Sequence, residues 1–132
     1  MKKFTKILAA LLVAFVVSGF MACGTPEDCV AQYRGNATID SVSCVVTITF
    51  EDDTNFLMCL EYVVSGSTVR QYTKGTYTGD PTVDGTLVLT NKSESFDEKK
   101  TWIDLETPTS GSCTVSGSTL DLGLDQKITR VK

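Results

Sequence analysis

Beyond residue 28 the chain alternates between apolar and polar side chains. Cys44, Val46, Ile48 and Phe50 occupy even positions, with Val45, Thr47 and Thr49 between them. A period of two puts successive side chains on opposite faces of a strand, so one face here is apolar and the other mostly hydroxyl-bearing. Glu51-Asp52-Asp53-Thr54 interrupts as a polar turn, and Phe56, Met58, Leu60, Tyr62 and Val64 resume the even apolar face. Ser65-Gly66-Ser67 turns the chain again. Residues 68–78 then read as a longer, more polar strand carrying Tyr72 and Tyr77, and Gly79-Asp80-Pro81 and Asp84-Gly85 bracket a loop. Further strand signals lie at 86–90, Phe96 and 102–105, with Asp97-Glu98-Lys99-Lys100 as a charged turn or exposed stretch. Ser116-Gly117-Ser118 joins 112–115 to 119–122, and 127–131 supplies a closing strand.

No stretch after residue 23 carries a helical period of 3.6. About eight or nine short strands in sequence order predict an all-β, antiparallel up-and-down meander. Closing it into a small barrel removes the exposed edges. A β-sandwich is the alternative with the same strand signature. Strand parity also bears on one cross-link. With 51–54 as the turn, Cys44 falls roughly opposite Glu61, on the apolar side, and Cys59 on the other side. A disulfide needs convergent Cβ vectors, so a Cys44–Cys59 bridge is disfavoured.

The first 22 residues, MKKFTKILAALLVAFVVSGFMA, have a different character. Lys2, Lys3 and Lys6 precede an uncharged apolar run from 7 to 17, and Ser18, Gly19 and Ala22 are small. The run is short of the roughly 20 apolar residues that span a bilayer. With Cys23 directly after it, the segment resembles the signal helix and lipobox of a bacterial lipoprotein. The resemblance implies cleavage after residue 22, lipidation of Cys23, a short tether over 23–28 and a single domain over 29–132. Gly24, where an inner-membrane protein would carry Asp, directs the expectation to the outer membrane. Lipid chains contribute about 0.8 kcal/mol per buried methylene, enough for stable anchoring when more than one is attached.

Removing that leader changes the charge. The whole chain has 12 basic and 16 acidic residues; without the three leader lysines the balance is nine against sixteen, or −7. Nucleic-acid binding relies on clustered Lys and Arg, so this balance argues against it. A cationic protein is a partner such a surface would steer. Four cysteines remain after Cys23, namely Cys29, Cys44, Cys59 and Cys113. An even number in a small exported domain predicts two disulfides, with three pairings open.

Residues 74–90, KGTYTGDPTVDGTLVLT, together with CTVSGSTLDL and the terminal ITRVK, resemble the small lipocalin-like bacterial lipoproteins. Their short strands end at Gly, Asp or Asn turns, and the last strand ends in a basic residue near the C-terminus. The Gly-x-Trp of true lipocalins is absent, and Gln32-Tyr33-Arg34-Gly35 stands in its place. The resemblance implies a barrel whose interior is either packed solid or holds one small molecule. The expected lining of an apolar-ligand cavity is Phe56, Met58, Tyr72 and Trp102.

The chemical inventory points away from catalysis. The chain has no histidine, which removes Ser–His–Asp and Cys–His arrangements. Its carboxylate groups, Glu51-Asp52-Asp53, Asp97-Glu98 and Asp121 with Asp125, sit in turn sequences where Asp serves local hydrogen bonding. No metal site, cofactor or phosphate loop is expected. The expectation is therefore a non-enzymatic, lipid-anchored envelope protein that binds a small apolar ligand. A protein-interaction or inhibitor lipoprotein and a structural envelope protein are the alternatives.

Overall fold

A computed structural model describes residues 29–132; the leader, Cys23 and the tether expected over 23–28 lie outside the described residues. Eight antiparallel strands follow one another: β1 (Ala31–Ile39), β2 (Val42–Phe50), β3 (Asn55–Val64), β4 (Ser67–Thr78), β5 (Gly85–Ser95), β6 (Ile103–Ser116), β7 (Thr119–Asp121) and β8 (Ile128–Arg130). Each pairs with the next and β8 returns to β1, so the meander closes into a barrel and not a sandwich.

Turn chemistry sets the register of the hairpins. Asp40 and Ser41 both adopt positive φ, 51° and 67°, between the paired residues Ile39 and Val42. Ser65 and Gly66 do the same at 50° and 78°, between Val64 and Ser67. Two successive positive φ values give the turn whose twist matches that of the flanking strands. With the register set, the even positions of β2 and β3 face inward together. Cys44 lies opposite Tyr62, one residue beyond the Glu61 expected from the sequence. Val46 lies opposite Leu60, Ile48 opposite Met58 and Phe50 opposite Phe56, and all eight side chains are buried.

One end of the barrel is sealed. Residue 29 and the C-terminus both lie there, since Val30 N–H donates to Phe50 O at 2.8 Å and Gln32 N–H to Lys132 O at 2.9 Å. The rings of Tyr33, Phe50 and Tyr77 stack edge to face, with centroids 6.3 and 4.8 Å apart. Each tyrosine then spends its polar tip on a loop. Tyr33 O–H donates to Pro81 O at 2.6 Å and Tyr77 O–H to Asp52 O at 2.5 Å. The apolar rings fill the end while the hydroxyls pin the β4–β5 and β2–β3 loops across it.

The closing seam is narrow. β8 pairs with β1 only at Tyr33↔Arg130 and Arg34↔Thr129, and Val131 N–H extends it by donating to Gln32 O at 2.8 Å. Gly35 permits the approach: a Cβ there would stand 2.9 Å from the Ile128 side chain and 3.0 Å from its Cα. Beyond β8, Asp125 Oδ1 accepts the Thr38 N–H at 2.8 Å. A carboxylate in the β7–β8 loop thus supplies the acceptor that a longer β8 would have offered.

The expected disulfides are absent among the four cysteines. Cys29, Cys44 and Cys113 are free thiols, so no two of the four are bridged to each other. Parity explains part of this. Cys44 points into the barrel, where its Sγ donates to Ala37 O at 3.4 Å, while Cys59 lies on the outer face opposite Thr47 and Tyr72. Cys113 is also an interior side chain, opposite Leu87. Burial pushes both interior thiols up to about 12, so they serve as small apolar core residues.

Candidate functional site

The predicted cavity set does not come together. Phe56 and Met58 point inward and are fully buried in the core. Tyr72 lies across from Cys59 and Ser95 on the outer face. There Lys99 Nζ sits 5.2 Å from its ring centroid, and its hydroxyl donates to Glu98 Oε1 at 3.4 Å. Trp102 is also outside, with Lys74 Nζ 4.2 Å over its ring. The alternation that faces β2 and β3 inward at even positions faces β4 inward at odd ones, because Leu60 pairs with Gln71 and Met58 with Thr73. Two of the four expected residues therefore lie on the outer face, Tyr72 buried there and Trp102 half-buried.

The same register brings a different group together inside. On β1–β3 the inner face is aromatic and aliphatic. On β4–β6 it is apolar at Tyr77, Leu87, Leu89 and Cys113 but turns polar along one stretch: Gln71 and Thr73 on β4, Asn91 and Glu94 on β5, and Thr109 on β6. Asn91 and Glu94 are three residues apart and would point to opposite faces of a regular strand. Lys92 resolves the conflict. Asn91 pairs with Gly75 and Thr109, and Ser93 with Lys74 and Asp104, which leaves Lys92 unpaired in both ladders and the extra residue against β4. A bulge of this kind re-aims the side chains that follow it. Gly75 makes the bulge possible, since a Cβ there would lie 1.8 Å from the Thr90 carbonyl oxygen. On the other side β6 spends residues 105–108 against the single Lys92, so the β5–β6 ladder is interrupted beside Asn91 and Thr109.

Asn91 is the unusual member. It is 0% exposed, and neither its Nδ2 nor its Oδ1 has a hydrogen-bond partner. Thr109 Oγ1, on the residue directly opposite, is likewise buried without one. Such groups cost about 1–3 kcal/mol each when left unmade, so native interiors rarely keep them. Glu94 lies two pairs further along, opposite Thr73, and burial raises its carboxyl above the ordinary range. No signal in the sequence beyond a polar strand between apolar ones marks these residues. Asn91 follows Leu87 and Leu89 on the inner face by alternation, and the bulge adds Glu94.

Outside the barrel the polar groups are satisfied. Arg70 Nε donates to Glu61 Oε2 at 2.8 Å, and Arg34 Nε to Thr47 Oγ1 at 3.2 Å. Burial still pushes the Glu61 carboxyl up, against the pull of Arg70. The turn carboxylates serve the backbone, as the sequence suggested. Asp52 Oδ1 accepts from the Thr54 and Asn55 amides at 2.8 Å, Asp97 Oδ1 from Thr101, Asp121 Oδ1 from Gly123 and Asp84 Oδ1 from Gly117. The Asn55 side chain on Asp52, the Thr82 hydroxyl on Asp80 and the Thr101 amide on Asp97 hold these carboxyls below the usual carboxylate range. Among the described residues no cluster of His, Cys, Asp and Glu could hold a metal ion. No protein-family model matches the chain, and neither a curated protein nor a solved structure matches it.

Proposed function

We propose that this chain is a lipid-anchored lipoprotein of the bacterial cell envelope whose barrel binds a small molecule in its interior. The observation that carries the binding reading is Asn91, a fully buried carboxamide with no partner for either polar atom. An interior meant only for packing has no use for such a group, because an apolar side chain of similar size would avoid its desolvation cost. The expected ligand shifts with the structure. The apolar side of the interior is filled by Tyr33, Phe50, Phe56, Met58 and Leu60, so the side left for recognition is the polar one.

The anchor reading rests on the leader and on Cys23, with Gly24 favouring the outer membrane. The position of residue 29 supports it. The chain enters at the sealed end, and a tether over 23–28 reaches at most about 20 Å. The sealed end would then face the membrane and the opposite end would face away from it.

Two measurements test the proposal. Intact mass spectrometry of native material is expected to show loss of residues 1–22 and a lipid adduct on Cys23. An unmodified Cys23 would overturn the anchor. A ligand-observed fluorine NMR screen of small fragments is expected to find binders displaced from the interior by Asn91→Leu. A screen without binders would overturn the binding module.

A further inference from the structure

The chemistry around Asn91 narrows what the interior can hold. Its carboxamide presents a donor and an acceptor side by side, and both are unsatisfied. The complement of that pair is another cis-amide edge, a C=O and an N–H on adjacent atoms, which can make two parallel hydrogen bonds with it. The same logic lets Asn read a donor–acceptor base edge bidentately. Thr109 is the direct cross-strand partner of Asn91, which puts the two Cβ atoms about 4.5–5.5 Å apart. Its buried hydroxyl adds a third hydrogen-bonding group on the same side.

Charge and access narrow it further. The polar inner residues Gln71, Thr73, Asn91 and Thr109 are uncharged, and Glu94 is an acid, so nothing on this wall would neutralise an anion. A cation would have to shed its hydration with only Glu94 to meet it, and that carboxyl is half-buried. Gly75, Thr73, Thr109 and Gly111 are the short members of this wall. The wall is also interrupted here, where residues 105–108 leave the β5–β6 ladder and Thr109 is half-buried.

We infer that the interior of the barrel is a site for a small, uncharged ligand with a cis-amide edge, such as a lactam, a cyclic urea or a pyrimidine-like ring. Asn91 takes the edge and Thr109 makes a third hydrogen bond, with entry at the β5–β6 bulge. The inference rests on the binding-module reading and specifies its ligand.

Calorimetry on the native lipidated protein in detergent, with uracil as the probe, tests it. Uracil is expected to bind, and 1,3-dimethyluracil, the same ring with both N–H groups methylated, to bind at least about 10-fold more weakly, as the loss of one to two hydrogen bonds requires. Asn91→Leu, checked for folding by circular dichroism, is expected to lose uracil by at least the same factor, and Thr109→Val by a smaller one. Equal binding of the two rings, or unchanged uracil affinity in Asn91→Leu, would overturn the inference. If fragments lacking an amide edge bind the interior and uracil does not, the ligand class falls while the binding module stands. If no fragment binds and the Asn91 amide protons contact water alone, both fall.

Discussion

Replacing Asn91 with leucine should make the protein more stable. Leucine is close to asparagine in size and removes the buried donor and acceptor together. An unsatisfied buried polar group costs about 1–3 kcal/mol, whereas an apolar replacement of similar shape leaves nothing unpaired. Asn91 is fully buried and both of its polar atoms lack partners, so the upper part of that range applies if the site is empty. Ordered water in the unliganded barrel would reduce the gain toward the lower part. The expected effect of Asn91→Leu is therefore about 1–3 kcal/mol of added stability, or a Tm raised by roughly 4–12 °C in a domain of this size. Urea denaturation followed by circular dichroism gives the value, provided the m-value stays constant so that only stability has changed. Asn91→Ala is the control, because it removes the amide but leaves a void and should gain less. If Asn91→Leu instead lost more than about 1 kcal/mol, the carboxamide would have partners in the native state, and the reasoning for a ligand site would fail with it.

Other parts of the fold give further expectations. Gly75→Ala should cost about 1–3 kcal/mol or more, because the added Cβ meets the Thr90 carbonyl at 1.8 Å. Gly66→Ala, at φ 78° with open space around it, should cost only about 1–2 kcal/mol by the same denaturation assay. In thiol titration Cys29, which is half-buried, should react in the folded protein, while Cys44 and Cys113, pushed up to about 12, should stay silent until denaturant is added. Glu94 should make the protein less stable as pH rises. Its folded-state pKa lies above the ordinary 4.5, so the native state holds the proton longer, and stability is lost from about pH 4.5 up through the folded value. Glu94→Gln should flatten that part of the pH–stability curve, and an unchanged curve would count against Glu94 as its source.

Much of the fold was legible from alternation. The even-numbered face of β2 and β3, the turns at 51–54, 65–67 and 116–118, and the closing strand near 128–130 all follow from period-two patterning and turn residues. The Asp40–Ser41 turn was harder to read, because neither residue is glycine and both adopt positive φ. The place of Glu94 in the interior site was not legible, and the reason is geometric. A register shift of one residue reverses every later side chain, and the Lys92 bulge does this in the middle of β5. Without it Asn91 and Glu94 could not share a face. Tyr72 and Trp102 were misassigned by a related error. Aromatic residues in a small barrel suggest interior filling, but β4 pairs with β3 so that its even positions point outward. Lys99 and Lys74 then sit over these rings on the outer face. The expectation of two disulfides within this set of four cysteines failed because cysteine counting ignores direction. Two of the four thiols point into the core from different walls, where they pack as apolar groups.

The side-chain amide signal of Asn91 tests the central claim most directly, because it reports on the one group the binding reading depends on. In a nitrogen-15 spectrum of the labelled protein, the Asn91 Nδ2 proton pair should move on addition of an interior-binding fragment and show cross-peaks to fragment protons. A pair that stays in place through saturating fragment, with cross-peaks to acceptor-bearing side chains of the barrel itself, would contradict the account.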